Sequence, residues 1–275
     1  MTVASSISKN SNLKPSVFWR IGEDIPRSLY WILMGSSILV PLLIWQLICS
    51  FTDIKAVFLP SPLEVCKALI RLGQQGLLFK DTWISVFRVL SGFFLGAILS
   101  IPLGISMGAF ASIRALFEPI IGVIRYMPAP AFTPLLLIYL GIDEPSKIAL
   151  IFLGTVFFNT LMIMDSVKFI PKELIEVSYT LGGNRWQVLR QVISPFIVPK
   201  IIDTFRINMA AAWNLVVVAE LVAAETGLGK RILLAQKFLK TDEIFACLIV
   251  LGMIGFAIDL SFRLLARLTC QWSMD

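Results

Sequence analysis

Histidine is absent from this chain of 275 residues, and charged side chains make up only 15% of it. Without histidine there is no Ser-His-Asp type of catalytic triad, and the commonest protein ligand of metals is missing. The sequence also has no Gly-x-x-x-x-Gly-Lys-Ser/Thr phosphate loop and no basic patch dense enough for nucleic acid. The cysteines have neither metal-ligand nor redox spacing; they are Cys49, Cys66, Cys247 and Cys270. We therefore predict no catalytic residue, no metal site and no enzyme activity in this chain.

Apolar residues dominate what is present: 57% of the chain is hydrophobic, and its mean hydropathy is +0.83. This composition predicts an all-α membrane protein, because a helix crosses the bilayer with ~20 apolar residues. Six spans satisfy that length, at about residues 29–50, 84–110, 117–140, 148–166, 204–224 and 244–268.

These spans divide the chain into a membrane domain and two tails. We predict a cytosolic N-terminal tail with an interfacial helix at 1–28, a transmembrane domain at 29–268 and a cytosolic C-terminal tail at 269–275. An even number of spans places both termini on one side, and the distribution of lysine and arginine favours the cytosol for that side. The net charge of +6 suits anionic lipids or an anionic cargo.

A charged, glycine-punctuated segment interrupts the apolar sequence between residues 168 and 200. Its pattern predicts a hairpin of two short helices outside the bilayer, with Pro171 at the first helical position. Gly182 and Gly183 suit a tight corner, and Asn184 with Gln187 can form a capping box at the start of the second helix. One face of that helix should be apolar, with Trp186, Leu189, Val192 and Ile193.

This segment resembles the coupling loop of permease subunits of ATP-binding-cassette (ABC) importers. The family pattern is Glu-Ala-Ala, three residues, glycine, nine residues and Ile-x-Leu-Pro, and Glu176, Gly182 and Pro195 stand at matching positions. Four positions differ, at Val177, Ser178, Val192 and Ser194. The resemblance implies a type I importer permease fold in which a hairpin at 167–200 docks on a separate ATPase through Glu176, Ser178, Gly182, Gly183, Asn184, Arg185, Trp186 and Pro195. The alternative is an interfacial helix pair held by lipid headgroups.

The same resemblance implies the partners of the chain. It implies a second copy of the chain, two cytosolic ATPase subunits that bind ATP and Mg, and an extracytoplasmic substrate-binding protein. The chain itself would hold no cofactor. It would be a multi-pass protein of the cell inner membrane with both termini in the cytosol.

Three prolines within seven residues interrupt the third span, at Pro128, Pro130 and Pro134. They break the backbone hydrogen-bond ladder, which a membrane protein tolerates only inside protein or beside water, so this segment is a predicted pathway element. Residues 125–135 are similar to the Arg-x-x-Pro-x-x-Ala-x-x-Pro-Leu pattern of the subfamily that imports nitrate, bicarbonate, sulfonates and taurine, and residues 212–229 also resemble that subfamily. The candidate pathway residues are Arg125, Tyr126, Met127, Pro128, Pro130, Trp213 and Asn214.

Ionisable groups at membrane depth are costly, and each one needs a reason. Arg125 suits contact with an oxyanion, although it could instead snorkel to the interface or pair with Glu118 or Glu220. We expect Arg88 and Arg206, which lie near span ends, to snorkel. For Glu220 we expect a structural pair with an arginine. Two further side chains have plainer alternatives to a pathway role, namely helix packing for Trp213 and an interhelical hydrogen bond for Asn214.

Small residues recur every fourth position in the second span, at Gly92, Gly96, Ser100, Gly104 and Gly108. This spacing predicts a close helix–helix contact, either sliding or static. For the whole chain we predict a permease subunit that moves a small anion. Nitrate (or nitrite) is the first expectation, and bicarbonate and sulfonate or taurine are the alternatives. An ion-gradient transporter and an intramembrane enzyme fit less well, because the hairpin and the missing catalytic groups argue against them.

Overall fold

The computed structural model describes residues 25–52, 55 and 57–271, and within these ranges the chain forms helices and loops without a strand. The α-helices are α1 (Arg27–Phe51), α2 (Pro62–Gln74), α3 (Leu77–Ala109), α4 (Ala111–Ile124), α5 (Thr133–Leu140), α6 (Glu144–Lys168), α7 (Lys172–Thr180), α8 (Arg185–Gln187), α9 (Ser194–Ala223), α10 (Leu228–Lys237) and α11 (Thr241–Thr269). A 3₁₀ helix precedes α5 (Ala129–Phe132), and a π-helix joins α8 to α9 (Val188–Ile193). The chain divides into two compact units at residue 56, so α1 belongs to one unit and the other helices to the second.

By length and composition, five helices of the described residues can cross a membrane: α1, α3, α6, the helix Arg185–Val222 and α11. The pair Ala111–Ile124 and Ala129–Leu140 becomes a sixth span, bent by 84°, when its two arms are counted together. This confirms the predicted all-α membrane fold of about six spans and the predicted break in the third. The break has a simple cause, since Pro128 and Pro130 lack the N–H groups that would continue the helix. The predicted tails lie outside the described residues for 1–24 and 272–275.

The most extensive helix contact joins α3 and α6, which run parallel. A Cβ atom built on Gly92 would lie 2.7 Å from the carbonyl oxygen of Ile148. About three and four turns further along, the same applies to Gly104, 2.8 Å from the Thr160 oxygen, and to Gly108, 2.9 Å from the Met164 oxygen. The backbones approach this closely because hydrogen is the only side chain between them. Ser100, the other member of the repeat, is fully buried in the same helix.

The buried core has two main parts, and each lies near one end of the long helices. One part joins α3, α6, α9 and α11 through Val89, Phe93, Ile151, Met209, Ala212, Trp213, Val216 and Leu251. The other lies where the hairpin meets the membrane helices and contains Ile105, Ile163, Val167, Ile170, Val188, Ile193, Ile197 and Ile201. Through this second part the hairpin is packed directly against α3, α6 and α9.

The first arm and corner of the hairpin follow the prediction closely. Gly182 has φ +85°, which glycine adopts without strain, whereas Gly183 is not in the left-handed region. The Asn184 side chain accepts hydrogen bonds from the N–H groups of Trp186 (3.1 Å) and Gln187 (2.9 Å). In return, the Gln187 side-chain oxygen accepts a hydrogen bond from the Asn184 N–H at 2.8 Å. The predicted capping box is confirmed. Pro171 lies one residue earlier than predicted, at the N-cap of α7.

The second arm differs from the prediction, because it is not a separate short helix. It continues through the π-helix into α9 as one helix, Arg185–Val222. Pro195 has no N–H for an α-helical bond. The N–H of Ser194 donates to the Leu189 carbonyl five residues back, as in a π-helix, and the Ser194 hydroxyl donates to the same oxygen at 2.8 Å. Within this arm Val188 and Ile193 are buried and Leu189 and Val192 pack against the same part of the core, while Trp186 is 72% exposed.

Candidate functional site

A cavity of about 650 Å³ lies beside the proline-broken segment, between that segment, α6 and α9. Five of the predicted pathway residues line it: Arg125, Met127, Pro128, Pro130 and Asn214. The remaining lining residues are apolar or glycine; among them are Ile124, Phe132, Leu153, Phe157, Phe158 and Leu215. The site is therefore a mainly apolar cavity whose lining includes one guanidinium, from Arg125, and one side-chain amide, from Asn214. Tyr126 and Trp213 lie outside its lining.

Arg125 has no carboxylate partner in the part of the chain that the structure describes. Its Nη2 donates to the Tyr126 hydroxyl at 3.0 Å, and its guanidinium lies 4.8 Å from the centre of the Tyr126 ring, a cation–π geometry. Its Nε is buried without a hydrogen-bond acceptor. The predicted alternative of a pair with Glu118 or Glu220 is wrong, because Glu118 lies 4.0 Å from Lys168 and Glu220 is bound by Arg88.

Trp213 and Asn214 follow each other on α9 but have different surroundings. The indole N–H of Trp213 donates to the Leu251 carbonyl on α11 at 2.9 Å, and the ring is buried in the core. Asn214 is exposed, and it borders both the large cavity and a smaller one of about 190 Å³ that also contacts Arg206 and Asp259. Trp213 thus ties α9 to α11, whereas Asn214 lies between two chambers.

The expectation that Arg88 snorkels to the interface is wrong. Its side chain is completely buried, and its Nε and Nη2 each donate to Glu144 at 2.6 Å. Its Nη1 donates to Glu220 and to the Thr226 carbonyl, both at 2.7 Å. The predicted pairing of Glu220 with an arginine is confirmed, and the partner is Arg88. The cause is steric enclosure: helices α3, α6 and α9 surround the guanidinium before it can reach the surface.

The sequence did not predict two other polar contacts at membrane depth. Arg206 was also expected to snorkel, but it lies near Asp203 (3.5 Å) and Asp259 (3.6 Å). Asn208 on α9 donates to the side-chain oxygen of Asn159 on α6 at 2.7 Å, and both amides are buried. An asparagine in the middle of each span was the available signal for this second contact, since buried amides in membrane helices seek one another.

The predicted coupling residues lie together at the end of the molecule where α6 stops and α9 starts. Glu176, Arg185, Trp186 and Pro195 are exposed there, and the corner borders a shallow cavity of about 490 Å³. The neighbouring surface carries exposed apolar side chains, at Leu174, Val177 and Leu181. The ring of Trp186 lies 6.5 Å from that of Phe110, at the junction of α3 and α4. The hairpin therefore contacts the ends of several membrane helices at once.

The sequence matches the family of binding-protein-dependent transport system inner membrane components over residues 100–270. The taurine transport system permease protein of Escherichia coli (strain K12) is 34% identical over 92% of each chain. A protein of Bacillus subtilis (strain 168) named for aliphatic sulfonate transport is 33% identical over 83% of each chain. The riboflavin transport system permease protein of Chloroflexus aurantiacus is 31% identical over 88% of this chain and 91% of its own.

Solved structures resemble the chain in fold. A chain of the inward-facing MetNI methionine ABC transporter aligns with a TM-score of 0.63 and 20% identity, over 70% of this chain and 96% of that one. The chain belongs to the family of binding-protein-dependent transport system inner membrane components. It is the multi-pass, inner-membrane permease subunit of an ABC importer, and this class of subunit works with ATPase and substrate-binding partners.

Proposed function

We propose that the chain forms half of the pathway of an importer for small organic sulfonates. The observation that carries the proposal is the chamber itself, which combines apolar walls with the guanidinium of Arg125, for which the described residues provide no carboxylate. A sulfonate has an oxyanion head that a guanidinium binds with paired hydrogen bonds, and an alkyl part that apolar walls accommodate. The names of the taurine and sulfonate relatives support the same cargo class.

Nitrate, which the sequence favoured, and bicarbonate lack an alkyl part, so the walls of the chamber would contribute nothing to their binding. Riboflavin, which one relative is named for, has no anionic group for the guanidinium to bind. The cargo is tested by reconstituting the chain with its ATPase and binding protein in proteoliposomes. Taurine and ethanesulfonate should stimulate ATP hydrolysis, while nitrate, bicarbonate and riboflavin should not. Stimulation by nitrate alone would refute the cargo assignment.

Arg125 can be tested within the same assay. Arg125→Ala should lower the apparent affinity for taurine and leave hydrolysis without cargo unchanged, because no carboxylate of the described chain depends on this arginine. Tyr126→Phe is the matched variant: it keeps the ring under the guanidinium and removes only the hydroxyl acceptor. Loss of the assembled complex in Arg125→Ala would assign the residue to folding rather than to cargo.

We further propose that the hairpin at 167–200 is cytosolic and docks on the ATPase. Two copies of the chain would meet two ATPase subunits, since one chain offers one hairpin. Support comes from the exposed apolar surface around the corner and from the packing of the hairpin against α3, α6 and α9. ATPase closure would then shift the population between inward-open and outward-open states.

The docking proposal is tested with Glu176→Lys and Gly182→Ala. Glu176 is exposed, so reversing its charge changes the surface but no internal contact. Gly182→Ala strains the corner, because φ is +85° there. Both variants should insert normally and lose cargo-dependent ATP hydrolysis. A cross-linker on Trp186→Cys should capture the ATPase, with the native cysteines first replaced. Unchanged uptake in Glu176→Lys would remove the coupling role.

A further inference from the structure

Six charged side chains form a compact set at the end of α6 opposite the hairpin. Arg88 binds Glu144 and Glu220, Lys147 lies 3.5 Å from Glu144, and Arg231 is paired with Asp81. The three acids and three bases cancel in charge. They come from four helices, α3, α6, α9 and α10. All but Glu144 and Arg231 are buried, so the set is a desolvated network and not a surface patch.

The network closes around the connection between α9 and α10. Three successive backbone N–H groups at the start of α10 have no partner within the helix, as at any helix N-terminus. Each finds a side chain instead: Gly227 donates to Asp81 (3.1 Å), Leu228 to Ser85 (3.1 Å) and Gly229 to Glu220 (2.8 Å). Arg88 binds the carbonyl of Thr226 from the other side. The first turn of α10 is therefore held by side chains of α3 and α9.

The two glycines at this point leave no room for any other residue. Gly227 has φ +126°, and a Cβ built on it would lie 2.5 Å from a carboxylate oxygen of Glu220. A Cβ on Gly229 would lie 2.8 Å from the carbonyl oxygen of Val217. The carboxylate of Glu220 thus sits directly against the backbone of the α10 start. Its other oxygen accepts from Ser85 (2.7 Å) and from Arg88.

We infer that Asp81, Ser85, Arg88, Glu144 and Glu220 form a polar latch that makes α10 move together with α3 and α6. A buried ionic network holds one arrangement firmly, because separating its members would leave charges without partners. In α3 the latch residues are followed by the glycine contact with α6, so a displacement of α10 reaches the longest helix interface of the chain. Arg88 is the positioning residue, since its guanidinium bonds to α6, α9 and the α9–α10 loop at once.

The inference rests on the proposed function, because that function supplies the partner that would displace α10. With the hairpin in the cytosol, α10 lies on the opposite side of the membrane, where the substrate-binding protein would dock. Contact with α10 would be carried through the latch to the helices that pack against the hairpin. The signal measured is therefore stimulation of the ATPase by taurine-loaded binding protein, relative to hydrolysis without it.

The test compares Arg88→Gln with Arg263→Gln in the reconstituted complex. Arg263 is a matched control: it is also an arginine in a long apolar helix, but it is exposed and paired with Asp259 of its own helix, four residues away. Arg88→Gln should keep hydrolysis without binding protein and lose at least about fivefold in stimulation, the lower end of usual coupling between sites. Arg263→Gln should behave like the wild type. Stimulation of Arg88→Gln within about twofold of wild type would overturn the latch.

Arg88→Gln leaves two carboxylates facing each other, and the complex could fail to assemble for that reason alone. The double variant Arg88→Gln/Glu220→Gln removes one charge of each sign, and it should assemble, hydrolyse ATP and still lack stimulation. Failure of both variants to assemble would assign the cluster to folding alone and overturn the proposal. A wild-type complex that no binding protein stimulates would refute the proposed function instead, so the two failures are distinguishable.

Discussion

Replacing glycines of the α3–α6 contact one at a time measures how closely these helices approach in the membrane. Gly104→Ala places a Cβ atom 2.8 Å from both the Thr160 oxygen and the Ile163 Cβ. Carbon contacts are comfortable at about 3.5–4.0 Å, so α6 must move by roughly 0.7 Å or more. Both opposing atoms are fixed to the helix backbone and cannot rotate away. Gly96→Ala is milder, because its nearest neighbour is the Thr155 hydroxyl at 3.1 Å.

The expected cost follows from these distances. Overpacking of this kind costs about 1–3 kcal/mol, and alanine returns about 1 kcal/mol of helix propensity relative to glycine. Gly104→Ala should therefore destabilise the protein by roughly 0–2 kcal/mol. Gly252→Ala in α11 is the control: no atom lies within 4 Å of its Cβ, so it should gain up to about 1 kcal/mol. The gap between these two variants is then about 1–3 kcal/mol.

The measurement is the apparent unfolding temperature of purified protein in detergent, read as the monodisperse fraction that survives heating. A change of 1 kcal/mol moves this temperature by about 2–4 °C for soluble chains near this size, so the gap is measurable. Stability should fall in the order Gly252→Ala, Gly96→Ala, Gly104→Ala. If Gly104→Ala equals or exceeds Gly252→Ala, the helices do not meet as described. Transport by Gly96→Ala separates the two predicted roles of the contact. If the helices slide, the variant should lose transport while keeping its stability. If the contact is static, transport should not fall unless stability falls too.

Three further substitutions test individual contacts. Asn184→Ala removes both acceptor bonds of the capping box and should cost about 1 kcal/mol, seen as faster amide exchange in the hairpin. Asn208→Leu leaves the Asn159 amide buried without its partner and should lower the unfolding temperature, while Asn159→Leu/Asn208→Leu should recover part of the loss. Pro195→Ala restores the missing N–H and permits a regular α-turn, so ATPase coupling should fall while the membrane helices stay folded; an unchanged complex would dissociate the π-helix from coupling.

Local features of the fold were accessible from the sequence, because their causes lie within a few residues. The capping box of Asn184 and Gln187 is one example, and the corner at Gly182 is another: in each the interacting groups are at most five residues apart. The broken third span was equally predictable, since Pro128 and Pro130 remove backbone donors wherever they occur. The small-residue repeat indicated a close contact, but nothing in it named α6 as the partner.

The π-helix shows how a local signal can be present and still be misjudged. Pro195 closes the coupling-loop pattern, and the sequence predicted a short second helix in this arm of the hairpin. The structure instead has one wider turn, in which the N–H and the hydroxyl of Ser194 both donate to the Leu189 carbonyl five residues back, and the helix continues to Val222. This wide turn interrupts the ordinary helical spacing between the residues on either side of it. Periodicity alone could not reveal this, because a single wide turn leaves the sequence pattern on either side unchanged.

The partners of the arginines at membrane depth could be identified only from the tertiary structure. These partners supply the physical basis for the cargo proposal. Arg88 finds its acceptors 56 and 132 residues away, beyond any local pattern, although Asp81, Ser85 and Arg88 already shared one face of α3. Arg206 likewise lies against two aspartates. A cation at membrane depth is expensive unless an anion compensates it. Of the three arginines that the sequence places there, Arg125 is the one for which the described chain provides a phenol instead of a carboxylate. An anion from outside the chain would compensate the charge of Arg125, and the cavity beside Arg125 has room for an anion with an apolar tail.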